Sequence, residues 1–441
     1  MLEKIFSWSK RKEGDENTAP PIRFGRYSDN NKPVHKVEKW NAADALFKEK
    51  KHHKSIAAFF DYLSDEGEGN VVHEQKGSLG TFHFYQGSKI IRGKYNETSM
   101  EAEVALAGMP VPSVPVMRRL LEMNFALYYT RYTLHNDRLT MMFDSDIATA
   151  SPSKLYYGLK ELATKADKQD DLLVQDFTAL IPVDMEHVAP IPEAEKEIKY
   201  KYFQKWIKET LDLVEGVDAD KYSGGIAYLL LALAYRIDFM LVPEGRFLLD
   251  IEKIVDIYFR KDERPVTEKN LEMTEAFLKL QAKTKEEIFP HLFRSRYTFS
   301  IVTPQNYKTV SDAIYNANQN IGWYKENKHD DIAAQISEYG LGYCQYSYSL
   351  PRPVTEFFQV FMMVNYPEYF QELGFKTVYY NRQTGEYNKE AIIASVEGIQ
   401  EAWKTKYPEL KMRTENLKFE DRVSFNQSFT NEVEFLNLET R

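Results

Sequence analysis

The sequence has 441 residues, a length that predicts about three domains. Its residues are 43% hydrophobic and 28% charged, which is typical of a globular protein. Its formal net charge is −9, and no long stripe of lysine and arginine occurs outside the N-terminus and residues 48–54, so nucleic acid is not expected as the main ligand. Cys344 is the sole cysteine, which excludes an internal disulfide and predicts a buried, inert thiol in a reducing cytoplasm.

The first 33 residues are predicted to form a flexible segment before the folded part of the chain. Residues 2–12 place a few apolar side chains opposite lysines and arginines, which leaves two interpretations: a weak membrane or partner anchor, or a frayed terminus. We favour the frayed terminus, because two turns of helix are barely stable alone. No secretory signal is recognised, and a cytoplasmic location is expected.

Residues 34–181 predict an α+β domain with its elements in the order α-β-β-β-α-β-β-α. Apolar side chains recur at helical spacing in the helices and alternate with polar ones in the strands. In the second helix, Val116, Met117, Leu120 and Leu121 are expected to point inward. The predicted elements are a helix at 41–63, strands at 81–86, 89–95 and 100–106, a helix at 113–126, strands at 128–134 and 139–143, and a helix from 151.

A connector spaced by prolines leads into residues 193–373, which predict a mainly α-helical domain. Its central helix is expected at 226–240, a stretch that is apolar nearly all round but shorter than the roughly 20 residues a bilayer span needs. Residues 374–441 predict a small C-terminal α/β extension of a hairpin, a helix and a tail. The tail alternates in places from residue 412, which predicts edge strands or loose packing.

Five stretches of the α+β domain resemble a known family. They are 80–85 (GTFHFY), 100–106 (MEAEVAL), 118–124 (RRLLEMN), 139–144 (LTMMFD) and 151–163 (SPSKLYYGLKELA). In pattern and order these stretches resemble the type III secretion chaperone-like fold, which effector chaperones share with the YbjN family of sensory-transduction regulators. The most specific element is the helix that ends in Asn124 before a strand and a hairpin. The resemblance implies a non-enzymatic, often dimeric bacterial module that binds segments of other proteins.

Protein binding is therefore the expected function, as a chaperone-like, scaffold or regulatory factor whose partner is another, unidentified protein or a second copy in a homodimer. In the resembling chaperones, partner segments add to sheet edges or lie in apolar grooves. By that analogy, candidates for core or groove positions are Phe82, Phe84, Tyr132, Met141 and Phe143, and the core is favoured for all five.

No common nucleotide-binding, zinc-protease or hydrolase motif occurs in the chain, and no catalytic, cofactor or metal residue is predicted. Arg118 and Arg119 are expected to pair with Glu101 and Glu103 of the adjoining strand, in preference to binding an anion.

The alternative function is an enzyme or small-molecule-binding protein with its site in the helical residues 193–373. It is motivated by polar and aromatic side chains around Tyr297, Trp323, His329 and residues 343–348, although their spacing matches no known catalytic arrangement.

Overall fold

The computed structural model describes residues 20–28, 32–184 and 187–440, and the chain divides into two compact units. Unit 1 contains Lys32–Pro190 and Phe293–Ile301. Unit 2 contains Ile191–Leu292, Val302–Arg441 and the described residues 20–28. Because an antiparallel sheet with its helices comes first and a mostly helical region follows, the expected α+β class is confirmed.

Unit 1 is a sheet covered on one face by helices. In chain order its elements are α1 (Val34–Lys48), α2 (His52–Leu63), β1 (Val71–Lys76), β2 (Leu79–Gln86), β3 (Lys89–Tyr95), β4 (Ser99–Gly108), α3 (Val114–Asn124), β5 (Thr130–His135), β6 (Arg138–Asp146), α4 (Pro152–Asp176), β7 (Ile181–Pro182), β8 (Ala189–Pro190) and β9 (Phe293–Arg294). All strand pairs are antiparallel, the main sheet has the order β1-β2-β3-β4-β6-β5, β7 pairs with β4, and β8 pairs with β9.

Two details differ from the predicted order of elements. The single helix expected at 41–63 is interrupted, because Lys50 has a positive φ of 59° that ends α1 and separates it from α2. Strand β1 precedes the three strands that were expected, and its polar sequence with half-exposed residues gives only a weak alternation of burial.

The core of unit 1 lies between the sheet and the helices α2 and α4. Alternate residues of β2 and β4 are buried, and the residues between them, such as Glu101 and Glu103, are exposed on the other face. This alternation is typical of an antiparallel sheet with one solvated face.

Unit 2 is mainly helical. Its elements are α5 (Glu193–Glu215), α6 (Ser223–Leu241), α7 (Gly245–Phe259), α8 (Val266–Gln281), α9 (Lys285–Ile288), α10 (Tyr307–Asn318), α11 (Ile321–Glu326), α12 (Asp330–Ser347), α13 (Arg352–Asn365), α14 (Pro367–Glu372), β10 (Tyr380–Asn381), β11 (Glu386–Tyr387), α15 (Lys389–Trp403) and α16 (Arg422–Glu434). Of the described helices, α6 is the one long and apolar enough to cross a membrane. However, 89% of its most apolar stretch is buried inside the structure, as in the core helix of a soluble protein.

The N-terminal segment expected to be flexible is in part packed. Phe24 is buried in unit 2 with its ring 5.2 Å from that of Phe370, and the Arg26 guanidinium pairs with Asp238 at 2.9 Å. An apolar ring and a buried carboxylate therefore hold residues 20–28 in place. Residues 2–12, for which an anchor and a frayed terminus were considered and the frayed terminus favoured, lie outside the described residues.

The C-terminal residues expected as a separate extension belong to unit 2. The hairpin of β10 and β11 and the helix α15 are present, but the tail forms α16 instead of edge strands. Phe425, Phe429 and Val433 recur every four residues and are fully buried, which is the spacing of a helix face rather than a strand. Asp421 caps this helix by accepting the Ser424 backbone N–H at 2.8 Å.

Candidate functional site

The five residues singled out for core or groove positions all lie inside unit 1. Phe84, Met141 and Phe143 have no exposed surface, and Phe82 and Tyr132 are also buried. Burial raises the pKa of the Tyr132 hydroxyl to about 12. These side chains hold the sheet against the helices and are not available to a partner in the folded domain.

The exposed apolar side chains of the described residues are concentrated around α3. Seven of the 21 large apolar residues that are exposed lie between residues 111 and 134. Leu121 is 64% exposed, Phe125 94% and Tyr128 91%. Single exposed apolar residues are common on protein surfaces, but a group of them on one element is typical of a binding surface. The sequence had placed Leu121 in the core, and this expectation is wrong.

Helical spacing places Val114, Arg118, Leu121 and Phe125 together, and these four residues are here called the α3 stripe. Their spacing of four, three and four residues keeps them on one side of the helix. The buried side of α3 is formed by Val116 and Leu120. The helix therefore has two apolar sides, one against the core and one facing outward, and the outward repeat could have been recognised in the sequence.

Arg118 of the α3 stripe and the adjacent Arg119 have few partners among the described residues. The Arg118 guanidinium has no hydrogen bond or ion pair within the described part of the chain, and Arg119 has only an exposed contact of 3.8 Å with Glu122. Such exposed contacts contribute little to stability. The expected pairing with the adjoining strand does not form, because Glu101 instead pairs with Lys94 at 2.8 Å on the opposite strand.

Side chains occupy part of the sheet edge formed by β5, the edge strand beside α3. Two N–H groups of β5 that point away from β6 are bound: Tyr132 donates to Asn124 Oδ1 at 2.8 Å, and Thr130 donates to Glu161 Oε2 at 3.0 Å. The same Glu161 side chain also accepts the backbone N–H of Tyr129 at 2.8 Å. A partner strand would have to displace these carbonyl and carboxylate oxygens, so strand addition is disfavoured at these two positions.

The side chains that motivated an enzyme are divided between the two units. Tyr297 belongs to unit 1, whereas Trp323 and His329 belong to unit 2, where both rings pack against Tyr222 at 5.6 and 4.2 Å. The Cys344 thiol is fully buried in α12, and burial raises its pKa, which keeps it protonated and unreactive.

Among the described residues, no group of three or more histidine, cysteine, aspartate or glutamate side chains is arranged to hold a metal ion. Models of known protein families give no match to the chain, and no curated protein matches it.

Proposed function

We propose that this chain is a non-enzymatic protein-binding protein, a chaperone-like, scaffold or regulatory factor of a bacterial cytoplasm, and that unit 1 binds through the α3 stripe. The observation that carries the proposal is the outward apolar side of α3, which has no partner within the described residues. Water contact with Leu121 and Phe125 costs free energy that burial against a second polypeptide would recover. The bonds to Thr130 and Tyr132 favour binding to the helix over strand addition at the β5 edge.

The occupant that we propose is a second copy of this chain. In an antiparallel pair of α3 helices related by a two-fold axis between Arg118 and Leu121, Val114 of one copy would lie beside Phe125 of the other. Arg118 would lie near Glu122 of the second copy, which supplies the carboxylate that Arg118 lacks within its own chain. A two-fold interface of this kind uses one self-complementary surface on both copies.

The resemblance to the secretion chaperone-like fold supports the same proposal, because that family is often dimeric and binds segments of other proteins. The arrangement of unit 1 has the helix ending in Asn124, followed by β5 and the hairpin to β6. A helical unit 2 joined to such a module suits a scaffold or regulatory factor better than a small dedicated chaperone.

Site-specific photo-crosslinking tests this assignment directly. A photoreactive phenylalanine analogue is placed at position 125 of the full chain, and the crosslinked peptides are identified by mass spectrometry in the expressing bacterium. The expected product joins position 125 to the α3 peptide of a second copy. The control has the analogue at position 79, where Leu79 of unit 1 is also exposed, at 60%, but lies on β2, outside the α3 stripe.

The products separate the alternatives. A crosslink from position 125 to a different protein would replace the second copy as occupant and retain the protein-binding role. The same products from positions 79 and 125, or no product from position 125, would contradict a binding role for the α3 stripe.

A further inference from the structure

Unit 2 contains a cavity that the protein-binding role does not use. Its volume is about 240 Å³, and it is lined by Val364, Asn365, Tyr380, Arg382, Tyr387 and Arg422. A cavity of this volume has room for several waters or a small organic molecule. The lining comes from the end of α13, the hairpin of β10 and β11, and the start of α16.

Asn365 organises the two arginines of the cavity. Its side chain is buried and held in place, because Nδ2 donates to the Phe361 carbonyl at 3.0 Å and to Asn426 Oδ1 at 2.9 Å. Arg422 donates from Nε to Asn365 Oδ1 at 2.9 Å, and Arg382 donates from Nη2 to the Asn365 carbonyl at 2.7 Å. Both guanidinium groups are thus positioned before any ligand arrives, which lowers the entropy cost of binding.

The two arginines retain donors for a ligand. The Nη1 and Nη2 atoms of Arg422 have no acceptor among the described residues, and neither does Nη1 of Arg382. Arg382 Nε lies 3.4 Å from Glu368, in an ion pair whose two side chains are each about two-fifths exposed. Asp421, next to Arg422 in sequence, is engaged by Lys325 at 3.3 Å and by the cap of α16. Within the described ranges, Arg422 is therefore a cation with no carboxylate partner of its own.

Two tyrosines supply an aromatic wall. The rings of Tyr380 and Tyr387 lie 4.6 Å apart, and the apolar Val364 side chain also lines the cavity. Burial and the nearby Tyr380 raise the pKa of the Tyr387 hydroxyl, so this group is a neutral donor at physiological pH. A cavity with guanidinium donors and an aromatic wall suits an anion that carries a flat or apolar part.

We propose that unit 2 binds a small organic anion, a carboxylate or a phosphate monoester with an aromatic or apolar part, in the cavity formed by Arg382 and Arg422. The oxygens of the anion accept the free N–H groups of Arg422 as a bidentate pair, and Arg382 adds a third donor. The apolar part of the ligand lies against Tyr380 and Tyr387. The proposal is independent of self-association through unit 1.

Isothermal titration calorimetry of the full chain tests the site with three probes: benzoate, phenyl phosphate and inorganic phosphate. Benzoate and phenyl phosphate differ in the anionic group and share the ring, so their ranking identifies the preferred anion. Inorganic phosphate lacks the ring and is expected to bind more weakly than phenyl phosphate. The affinity of the tighter aromatic probe is expected to fall as salt rises, because the attraction is between charges.

Arginine variants assign the binding to the cavity. Arg422→Gln is expected to weaken the tighter aromatic probe by roughly tenfold or more, because charge-assisted hydrogen bonds are lost. Arg382→Gln is expected to weaken binding less, in the same direction. It provides a second test of the cavity if Arg422→Gln does not fold. The matched control is Arg260→Gln, which removes an exposed arginine of the same unit that contacts Glu272 at 3.8 Å.

Two results would overturn the proposal. One is that none of the three probes binds with a Kd below about 10 mM, a free energy too small for a preformed site. The other is that folded Arg422→Gln and Arg382→Gln proteins, checked by circular dichroism, bind the probes as tightly as the Arg260→Gln control.

Discussion

Asn124 Oδ1 accepts the backbone N–H of Tyr132 at 2.8 Å and so joins the end of α3 to the outer edge of β5. This bond links the most specific element of the sequence pattern to a physical role, because a free N–H on an edge strand invites pairing with another chain. With Glu161 bound to Thr130 two residues earlier, the edge is protected while the outward side of α3 stays accessible.

Removing the Asn124 acceptor should expose the edge of β5. Asn124→Ala is expected to lower the free energy of unfolding by about 1 kcal/mol and to increase aggregation on heating, because the Tyr132 N–H loses its partner. Asn124→Asp keeps an acceptor oxygen at the same place and serves as the control. Urea denaturation and light scattering measure the two effects, and equal behaviour of the two variants would contradict the role given to this bond.

Phe84 is expected to act only through stability. Its side chain is fully buried with its ring 5.7 Å from that of Phe299, so Phe84→Ala should cost about 3–5 kcal/mol through lost burial and a residual cavity. Phe84→Leu preserves most of the volume and should cost markedly less. If Phe84→Ala unfolded at the wild-type urea concentration, the core position of this residue would be wrong.

The buried pair of Arg236 and Glu338 makes unit 2 sensitive to loss of one charge. Arg236 Nε donates to Glu338 at 2.7 Å, Arg236 Nη2 donates to Gln335 at 2.7 Å, and the Tyr366 hydroxyl donates to the same carboxylate. Arg236→Met leaves the Glu338 charge buried without a cation and should cost about 3–5 kcal/mol in urea denaturation.

Adding Glu338→Leu to Arg236→Met should recover much of that loss, since the unpaired charge is gone. A double variant that is no more stable than Arg236→Met would show that the pair stabilises unit 2 by itself.

The stability of unit 1 should depend on pH through Asp171. Burial, together with the charge of the neighbouring Asp170, raises the pKa of the Asp171 carboxyl to about 7, against an opposing effect of Lys89. The folded state thus holds this proton to higher pH than the unfolded chain, whose value is 3.8. The stabilising contribution is complete below the unfolded value and is lost as the pH rises through about 7.

Hydrogen exchange of α4 amides at pH 5 and pH 8 measures this dependence, once intrinsic exchange rates are taken into account. Wild-type α4 should be less protected at the higher pH, and Asp171→Asn should reduce the difference between the two. A variant with the full wild-type difference would exclude Asp171 as its source.

Local patterns predicted the strands of unit 1 well, because β2, β4 and β6 alternate between one buried and one solvated face. Tertiary contacts decided the remaining features. The helix α16 takes its burial from neighbouring helices, and residues 20–28 are held by Phe24 and Arg26 against partners more than 200 positions away in the chain. A short stretch of sequence cannot reveal contacts between residues so far apart in the chain.

The α3 stripe shows where a local pattern misleads. Leu120 and Leu121 are adjacent and equally apolar, yet the first is buried and the second exposed, because only one side of α3 faces the core. The cavity of unit 2 is a second case, since it joins Asn365, Arg382 and Arg422 from three separate elements. Their spacing in the sequence resembles no motif.

The most direct test of the central claim is sedimentation equilibrium of the full chain over a range of concentrations, comparing wild type with Leu121→Glu. Leu121 is exposed in the single chain, so the substitution should leave folding intact while placing a charge in the proposed two-fold interface. Wild type should approach twice the monomer mass at concentrations on the order of micromolar, as a modest interface allows, and Leu121→Glu should remain monomeric. A wild-type chain that stays monomeric at every concentration, or a Leu121→Glu chain that associates as strongly as wild type, would contradict self-association through the α3 stripe.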